Sequence, residues 1–236
     1  MPPRVLSFDV LGTLVDWDRG LADALRRHAR IEHPGLIETL LEERLDAEWD
    51  LLEELEEFRP YREIVAESLL AAARASGTIL GPAQAEAVAA TVGDWPPFPD
   101  AGPALAQLAE RFPLALVSNA DRDDLERLAE GLGAPFRHLV AAGDVQAFKP
   151  EPDHLLALLH ELELEEEELL HVSAWPEYDL GVAQDLLVPA AYVNRRGEPL
   201  PEEVEVAFEV ASMEALARRL LRPRGGAKPR RRPARG

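Results

Sequence analysis

The sequence predicts an α/β fold: a parallel sheet with helices on both faces, interrupted after its first strand by a helical insertion. Three observations carry this reading. From about residue 100 onward, short apolar runs alternate with helical segments, the rhythm of strand–helix–strand units whose strands lie parallel in one sheet. From about Arg19 to Ala75 the pattern is helical instead. Between the two regimes lies Trp95-Pro96-Pro97-Phe98-Pro99, a stiff connector that cannot continue a helix.

The elements follow in order. Val5-Leu6-Ser7-Phe8-Asp9-Val10 is a short apolar run before Gly12-Thr13, read as a buried strand ending in a turn. In the insertion, Ile37, Leu40, Leu41, Leu45, Trp49 and Leu52 recur mostly at three- and four-residue steps between Glu and Arg, the stripe of an amphipathic helix. Gly81-Pro82 starts a further helix that ends near Val92. Four more strands are expected at Pro113–Asn119, His138–Ala142, Leu169–Ser173 and Ala190–Asn194, and a sixth at Val206–Val210. Helices are expected at 101–111, 122–131, 152–163, 180–186 and 213–221. The expected organisation is a discontinuous core (1–15 and 96–221), a helical cap (16–95) and a basic tail (222–236).

Composition narrows the class. With 236 residues, 47% apolar and 29% charged, the chain can bury a sizeable core. The absence of cysteine excludes disulfides, thiolate zinc sites and a cysteine nucleophile. No apolar run approaches the roughly 18–20 residues that span a bilayer, and the opening MPPRVLSFDV lacks a signal-peptide layout, so a cytoplasmic protein is expected. The net charge of −19 is uneven: the tail holds seven basic residues and no acid, which leaves the body 18 basic against 44 acidic residues, or −26. Such a body repels nucleic acid and anionic membranes. The tail, rich in Pro, Gly and Arg, is expected to be disordered. The run 161–168, with six Glu in eight residues, is expected to be a solvated helix end and loop. Two Asn, two Met and many Glu, Arg and Pro fit a heat-adapted, thermophilic protein. The leucine-rich insertion makes a homodimer plausible.

In an open parallel sheet, ligands bind outside the carboxyl ends of the strands. The residues there are Asp9 after the first run, Ser118-Asn119 after the second, and Ser173 through Asp179 after the fourth. Lys149 stands in a loop just before a helix. Only two of the 25 basic residues are lysines, and Lys149 is the one outside the tail. A compact ammonium differs from a planar guanidinium, so this position departs from the arginine bias where chemistry would require it. His28, His33, His138, His154, His160 and His171 show no ligand spacing and are expected to be structural or exposed.

Taken together these residues resemble the haloacid dehalogenase (HAD) superfamily, closest to its type II 2-haloacid dehalogenase-like branch. Phe8-Asp9-Val10-Leu11-Gly12-Thr13-Leu14 is similar to the first motif, Val117-Ser118-Asn119 to the second and Lys149-Pro150 to the third. His171-Val172-Ser173 through Tyr178-Asp179 is similar to the fourth. The resemblance spans roughly 4–212 and implies a Rossmann-like core with an inserted α-helical cap that closes over the site. Val193-Asn194-Arg195-Arg196-Gly197 resembles the same branch.

The resemblance implies that Asp9 is a nucleophile forming an aspartyl ester, with Thr13 donating to it and Lys149 keeping it ionised by lowering its pKa. Ser118 and Asn119 would bind the carboxylate of a small anionic substrate. Asp179 would activate the water that hydrolyses the ester, and Leu11 and Trp175 would exclude solvent. The departures are informative. Phosphatases of the superfamily carry an Asp where Leu11 stands and a magnesium-binding Asp where Ala174 stands. A phosphate ester needs an acid for its leaving group and a cation against charge repulsion, whereas a halide leaves unassisted. No cofactor is therefore expected; Mg²⁺, if bound, would have Asp9 and at most Asp179 or Glu177. The branch usually has Tyr at Leu11 and a substrate-gripping arginine at Leu41. Arg44, one helical turn away, could replace that arginine or could face solvent from a Glu-rich helix. The fourth motif is one residue longer, with Trp175-Pro176 inserted in a small polar segment. Two other readings stand beside the dehalogenase: a Mg-dependent phosphatase of the same fold, and a non-catalytic HAD-fold binding protein.

Overall fold

A computed structural model describes residues 2–222; the expected tail lies, apart from Arg222, outside them. Six strands form one parallel sheet: β1 (Val5–Phe8), β2 (Leu114–Ser118), β3 (Phe136–Ala141), β4 (Leu169–Ser173), β5 (Ala190–Val193) and β6 (Phe208–Val210). Their order is β3-β2-β1-β4-β5-β6. The chain works outward from β1 on one side, then returns to β1 and works outward on the other. This places β1 at the switch point, where an open α/β sheet leaves its crevice. Phe8 is level with both Leu116 of β2 and Val172 of β4, so the three strands end together around Asp9.

Strands β1, β2, β4 and β5 are buried along their whole length, as expected for a sheet covered on both faces. Alternate residues point to opposite layers. Leu6, Phe8, Leu114, Leu116 and Val172 join the core formed with α5 (Ala101–Ala109), α6 (Arg122–Leu132), α10 (Met213–Leu221) and the inserted helices. Val5, Ala115, Val117 and Leu169 pack with Leu155, Leu158 and Leu159 of α8 (Asp153–Leu162) and with Ala183 of α9 (Gly181–Asp185). A short α7 (Ala142–Val145) follows β3.

Everything between β1 and the proline connector is helical. There, α1 (Trp17–Ala24) runs into a five-residue π turn, Leu25–Ala29, before α2 (Pro34–Glu53), α3 (Tyr61–Ala75) and α4 (Pro82–Ala89). The connector holds this layer at a fixed point, since Phe98 N–H donates to the Leu14 carbonyl at 2.9 Å and Asp16 N–H to the Pro96 carbonyl at 2.8 Å. A second tie joins α3 to the sheet side. The Asp121 carboxylate accepts from Tyr61 N–H (2.9 Å) and Arg62 N–H (3.1 Å), capping α3 from the start of α6. Arg62 also pairs with Asp123 and buried Asp124.

Two sequence expectations change. The stripe of α2 that is fully buried is Ile37, Leu40, Arg44 and Glu48, while Leu41 and Leu45 are only half-buried. Two charged residues thus continue the apolar stripe at helical spacing. The helix expected at 180–186 instead begins as a π turn, Pro176–Leu180, in which Leu180 N–H reaches back five residues to the Trp175 carbonyl at 3.2 Å. A π turn accommodates one additional residue in a helix, and the fourth motif is one residue longer than its resemblance requires. Among the described residues no helix is long and apolar enough to cross a membrane.

Candidate active site

Asp9 follows β1 directly, and its backbone N–H still donates to the Val172 carbonyl at 3.0 Å, so the sheet itself fixes its position. The chain then turns sharply at Gly12, whose φ of 83° is costly for a side chain bearing Cβ. The turn brings Thr13 back, and its hydroxyl donates to Asp9 Oδ2 at 2.6 Å. Lys149 Nζ donates to Asp9 Oδ1 at 2.6 Å and to Asp179 Oδ1 at 2.8 Å, bridging the two carboxylates. All three side chains are buried.

Asn119 holds the lysine in place. Its Oδ1 accepts from Lys149 N–H at 2.7 Å, and its Nδ2 donates to the Lys149 carbonyl at 3.4 Å. The amide expected to meet substrate is thus committed to the Lys149 backbone, although Asn119 also lines the cavity. Ser118 lines it as well; its Oγ accepts from Ala120 N–H at 3.2 Å, leaving the hydroxyl hydrogen free to donate.

Asp179 sits on the π turn and is held from three sides. Besides Lys149, it accepts from the Ser173 hydroxyl on Oδ2 (2.9 Å) and from His171 Nε2 on Oδ1 (3.1 Å). Ser7 and His171 are register partners on adjacent strands, and the Ser7 hydroxyl meets His171 Nδ1 at 2.9 Å. With an acceptor on Nε2, that nitrogen carries the proton and Nδ1 accepts from Ser7. His171, expected to be structural or exposed, is therefore a fully buried partner of the site. Sequence reasoning also missed Ser7, and it placed Ser173 at a strand end without giving it a role. The available signal was the run of polar residues at alternate positions in otherwise apolar strands, Ser7 in β1 with His171 and Ser173 in β4.

Burial pushes the Asp9 carboxyl up from its ordinary 3.8; Lys149 opposes this, and the nearby charge of Asp179 adds to it. Lys149 does lower Asp9, in the direction the sequence reading expects, but burial outweighs it and the net shift is upward. Asp179 moves the other way: burial would raise it, but Lys149 and the donation from His171 hold it well below the usual carboxylate range. Burial alone would lower the Lys149 ammonium, yet the two carboxylates hold it above its usual value.

His154, on α8 behind β2, donates from Nε2 to the Ser118 carbonyl at 3.2 Å. Burial, and then the positive charge of Lys149, lowers its pKa from 6.5 to about 4. The unfolded chain therefore takes up a proton that the folded protein refuses, so His154 costs no stability above pH 6.5 and a growing amount below it. The unfolding free energy is expected to fall by about 3 kcal/mol between roughly pH 6.5 and pH 4 on this account. Urea titrations of wild type and His154→Gln check it: the difference between the two proteins should change across that interval, and a difference independent of pH would refute the assignment.

Over Asp9 lies a cavity of about 50 Å³, lined by Leu11, Trp17, Arg44, Glu48, Tyr61, Trp95, Trp175 and Tyr178 together with the residues of the sheet edge. That is room for roughly four water-sized groups, hence a small molecule. Trp175 closes one side. Its indole N–H donates to the Leu11 carbonyl at 2.7 Å and lies against Gly12, where a Cβ would come within 2.7 Å of the ring. Arg44, not Leu41, reaches the cavity: Leu41 faces a neighbouring surface hollow with Arg26 and Arg196. Far from facing solvent, Arg44 is 2% exposed. It pairs with Glu48 one turn along α2 and lies over the Trp17 ring at 5.0 Å.

The donor set does not suit a divalent ion. The Lys149 ammonium already stands between Asp9 and Asp179, Leu11 and Ala174 bring no side-chain oxygen, and the Leu11 carbonyl is taken by Trp175. Among the described residues no group of three or more His, Asp or Glu could hold a metal ion.

A buried carboxylate at the end of the central strand, bridged by lysine to a second one beneath a helical layer, defines a parallel α/β protein with an aspartate-centred site. The model of haloacid dehalogenase-like hydrolases matches residues 3–186, and the chain belongs to that family. Among curated proteins no sequence matches it. Similar solved structures include an L-2-haloacid dehalogenase from Xanthobacter autotrophicus, 22% identical, TM-score 0.78, covering 92% of this chain and 97% of that one. Another structure of that protein, with the same figures, has chloropropionic acid covalently bound. A magnesium-bound HAD-hydrolase from Bacillus subtilis is 19% identical, with a TM-score of 0.80, covering 94% of this chain and 100% of that one. At these identities the likeness establishes the fold.

Proposed function

We propose that the protein is a metal-independent hydrolase that displaces halide from a carbon next to a carbonyl group through a covalent ester on Asp9, in the manner of 2-haloacid dehalogenases. The observation that carries this reading is the Lys149 ammonium bridging Asp9 and Asp179 with no side-chain oxygen at Leu11 or Ala174 beside them. In this reading residues 16–95 act as the cap over a core formed by 1–15 and 96–221. An Asp9 carboxylate oxygen attacks the substrate carbon, the carbon–halogen bond breaks, and halide departs without a proton. Lys149 and Thr13 orient the attacking carboxylate, and the Ser118 hydroxyl donates to the substrate carbonyl group. Water then adds to the ester carbonyl carbon of Asp9. Asp179, oriented by the donations of Ser173 and His171, takes up the proton of that water. Leu11, Trp17, Trp175 and Tyr178 keep other water from the reacting carbon.

The magnesium-dependent phosphatase is the second reading, favoured by the fold of the Bacillus subtilis structure and opposed by the donor set. The two separate in one assay. Halide release from small 2-halo carbonyl compounds and phosphate release from p-nitrophenyl phosphate are followed with Mg²⁺ and with EDTA. EDTA-insensitive halide release is expected, with an ester-sized mass increase on the peptide containing Asp9 during turnover. Magnesium-dependent phosphate release without halide release would overturn the proposal.

A further inference from the structure

We infer that the carbonyl group this site accepts is a neutral carboxamide, so that its substrates are small 2-haloamides, and that Glu48 selects them. The inference rests on the proposed displacement of halide by Asp9 and concerns which compound is presented to it.

Charge is the first argument. The cavity is lined by three carboxylates, Asp9, Glu48 and Asp179, against two cations, Arg44 and Lys149, and each of the five is at most 5% exposed. The enclosed charge is therefore negative before any ligand binds. A carboxylate substrate would add a second uncompensated negative charge where water does not screen it. A neutral amide leaves the balance unchanged.

Hydrogen-bond pattern is the second. The guanidinium that could grip a substrate carboxylate already holds one, that of Glu48. Glu48 is pinned further by the Tyr61 hydroxyl, 3.0 Å from Oε1 and 3.1 Å from Oε2, and Tyr61 is fixed in turn by the Asp121 tie at the start of α3. What remains is a partly used guanidinium beside a carboxylate that can still accept. Arg44 gives Glu48 one of its five N–H groups through Nη1, and the Glu48 carboxylate, with about four lone-pair directions, keeps capacity to accept. A primary amide offers a carbonyl acceptor and an N–H donor in one plane, matching that pair. A carboxylate offers only acceptors and would set one of them against Glu48.

Surrounding charge is the third. The groove beside Lys149 and Pro150, which shares Lys149 with the cavity, is lined by Glu53, Glu56, Glu57 and Glu151. These carboxylates repel a nearby anion and are indifferent to a neutral molecule.

The reaction balances as before. Asp9 forms a C–O bond at C2 while the C–halogen bond breaks, and water cleaves the ester at the Asp9 carbonyl carbon. A 2-haloamide and water thus give a 2-hydroxyamide, halide and one proton, with no redox change.

The test compares kcat/KM for halide release from 2-chloropropionamide and 2-chloropropionate, for wild type and Glu48→Gln, with the mass of the Asp9-containing peptide followed in parallel. Wild type should favour the amide. In Glu48→Gln the amide-to-acid ratio should fall by about 100-fold, the scale of relieving a like-charge contact, with the acid gaining in absolute terms. Inhibition of wild type by unreactive propionamide and propionate, read while either chloride is released, gives the same comparison without a variant, and propionamide should bind more tightly. Preference for the acid in both wild-type measurements overturns the amide assignment and leaves Asp9 chemistry intact. Preference for the amide with a ratio unchanged in folded Glu48→Gln removes Glu48 as the selecting residue. No halide and no Asp9 adduct with either compound in either protein overturns the reading of the reaction itself.

Discussion

Asp9→Asn is expected to abolish halide release, by roughly 10⁴-fold or more, while making the protein more resistant to unfolding. The first half follows from chemistry: an amide oxygen is a poor nucleophile, and loss of a covalent nucleophile is among the most damaging single changes to an enzyme. The second half follows from the sign of the Asp9 shift. Its carboxyl is raised by burial, so the folded protein binds that proton more tightly than the unfolded chain. Ionised Asp9 therefore costs stability above its folded pKa, and the cost is relieved as pH falls through that value. Asn removes the charge, keeps the shape and leaves Lys149 its contact with Asp179 at 2.8 Å. Halide release and thermal unfolding at neutral pH, measured on the same preparations, should move in opposite directions. The acid limb of wild-type kcat/KM should likewise lie above 3.8, the ordinary value for Asp. A destabilised Asp9→Asn protein, or one that still turns over, would contradict the assignment.

Lys149→Met is expected to damage both activity and stability. Without the ammonium, Asp9 and Asp179 are two buried carboxylates with no cation between them, and only one of them can readily ionise. Removing one partner of a buried ion pair costs about 3–5 kcal/mol. Asp179 keeps its donors from Ser173 and His171, so Asp9 takes the proton and the nucleophile is lost; turnover should fall by about 10³-fold or more. Lys149→Arg should not restore it, since a planar fork cannot occupy the point between two carboxylates that the ammonium fills. Combining Lys149→Met with Asp179→Asn should recover part of the stability, because it removes one of the opposed charges, and none of the activity. Denaturant titrations of the single and double variants form a cycle that isolates this coupling; simple additivity would mean the three groups do not act as a unit.

Much of the fold was legible because period and punctuation are local properties. Each apolar run read as a strand became one, with ends moved by a residue or two, and Trp95–Pro99 does separate the helical layer from the strand–helix repeat. Asp9, Ser118, Asn119 and Asp179 were placed together from their positions at strand ends, Lys149 from its loop and Thr13 through the resemblance; in the structure the six lie together. The π turn at Pro176–Leu180 was not legible, since a helical pattern does not show which hydrogen-bond step the chain takes. Nor were Arg44 and Glu48 as a buried pair. In sequence Glu48 resembles the exposed Glu38, Glu42, Glu43 and Glu53 of α2, Arg44 stands next to two of them, and the neighbouring leucines made the more obvious stripe.

By itself the sequence determined the α/β class, the order of its elements, the family and most of the residues gathered at the candidate site. These depend on residue type at strand ends and on the positions of turns, both written along the chain. Tertiary structure alone decided the balance of forces within the site. Whether Lys149 outweighs the burial of Asp9 depends on how much water the fold removes and on the nearby charge of Asp179. Whether Arg44 is free for a ligand depends on Glu48 and on Tyr61, brought from the next helix. Both are sums over neighbours in three dimensions, taken where water is excluded and each charge is felt at nearly full strength. The one lysine among the described residues marked the site, and only its two partners showed how it is held there.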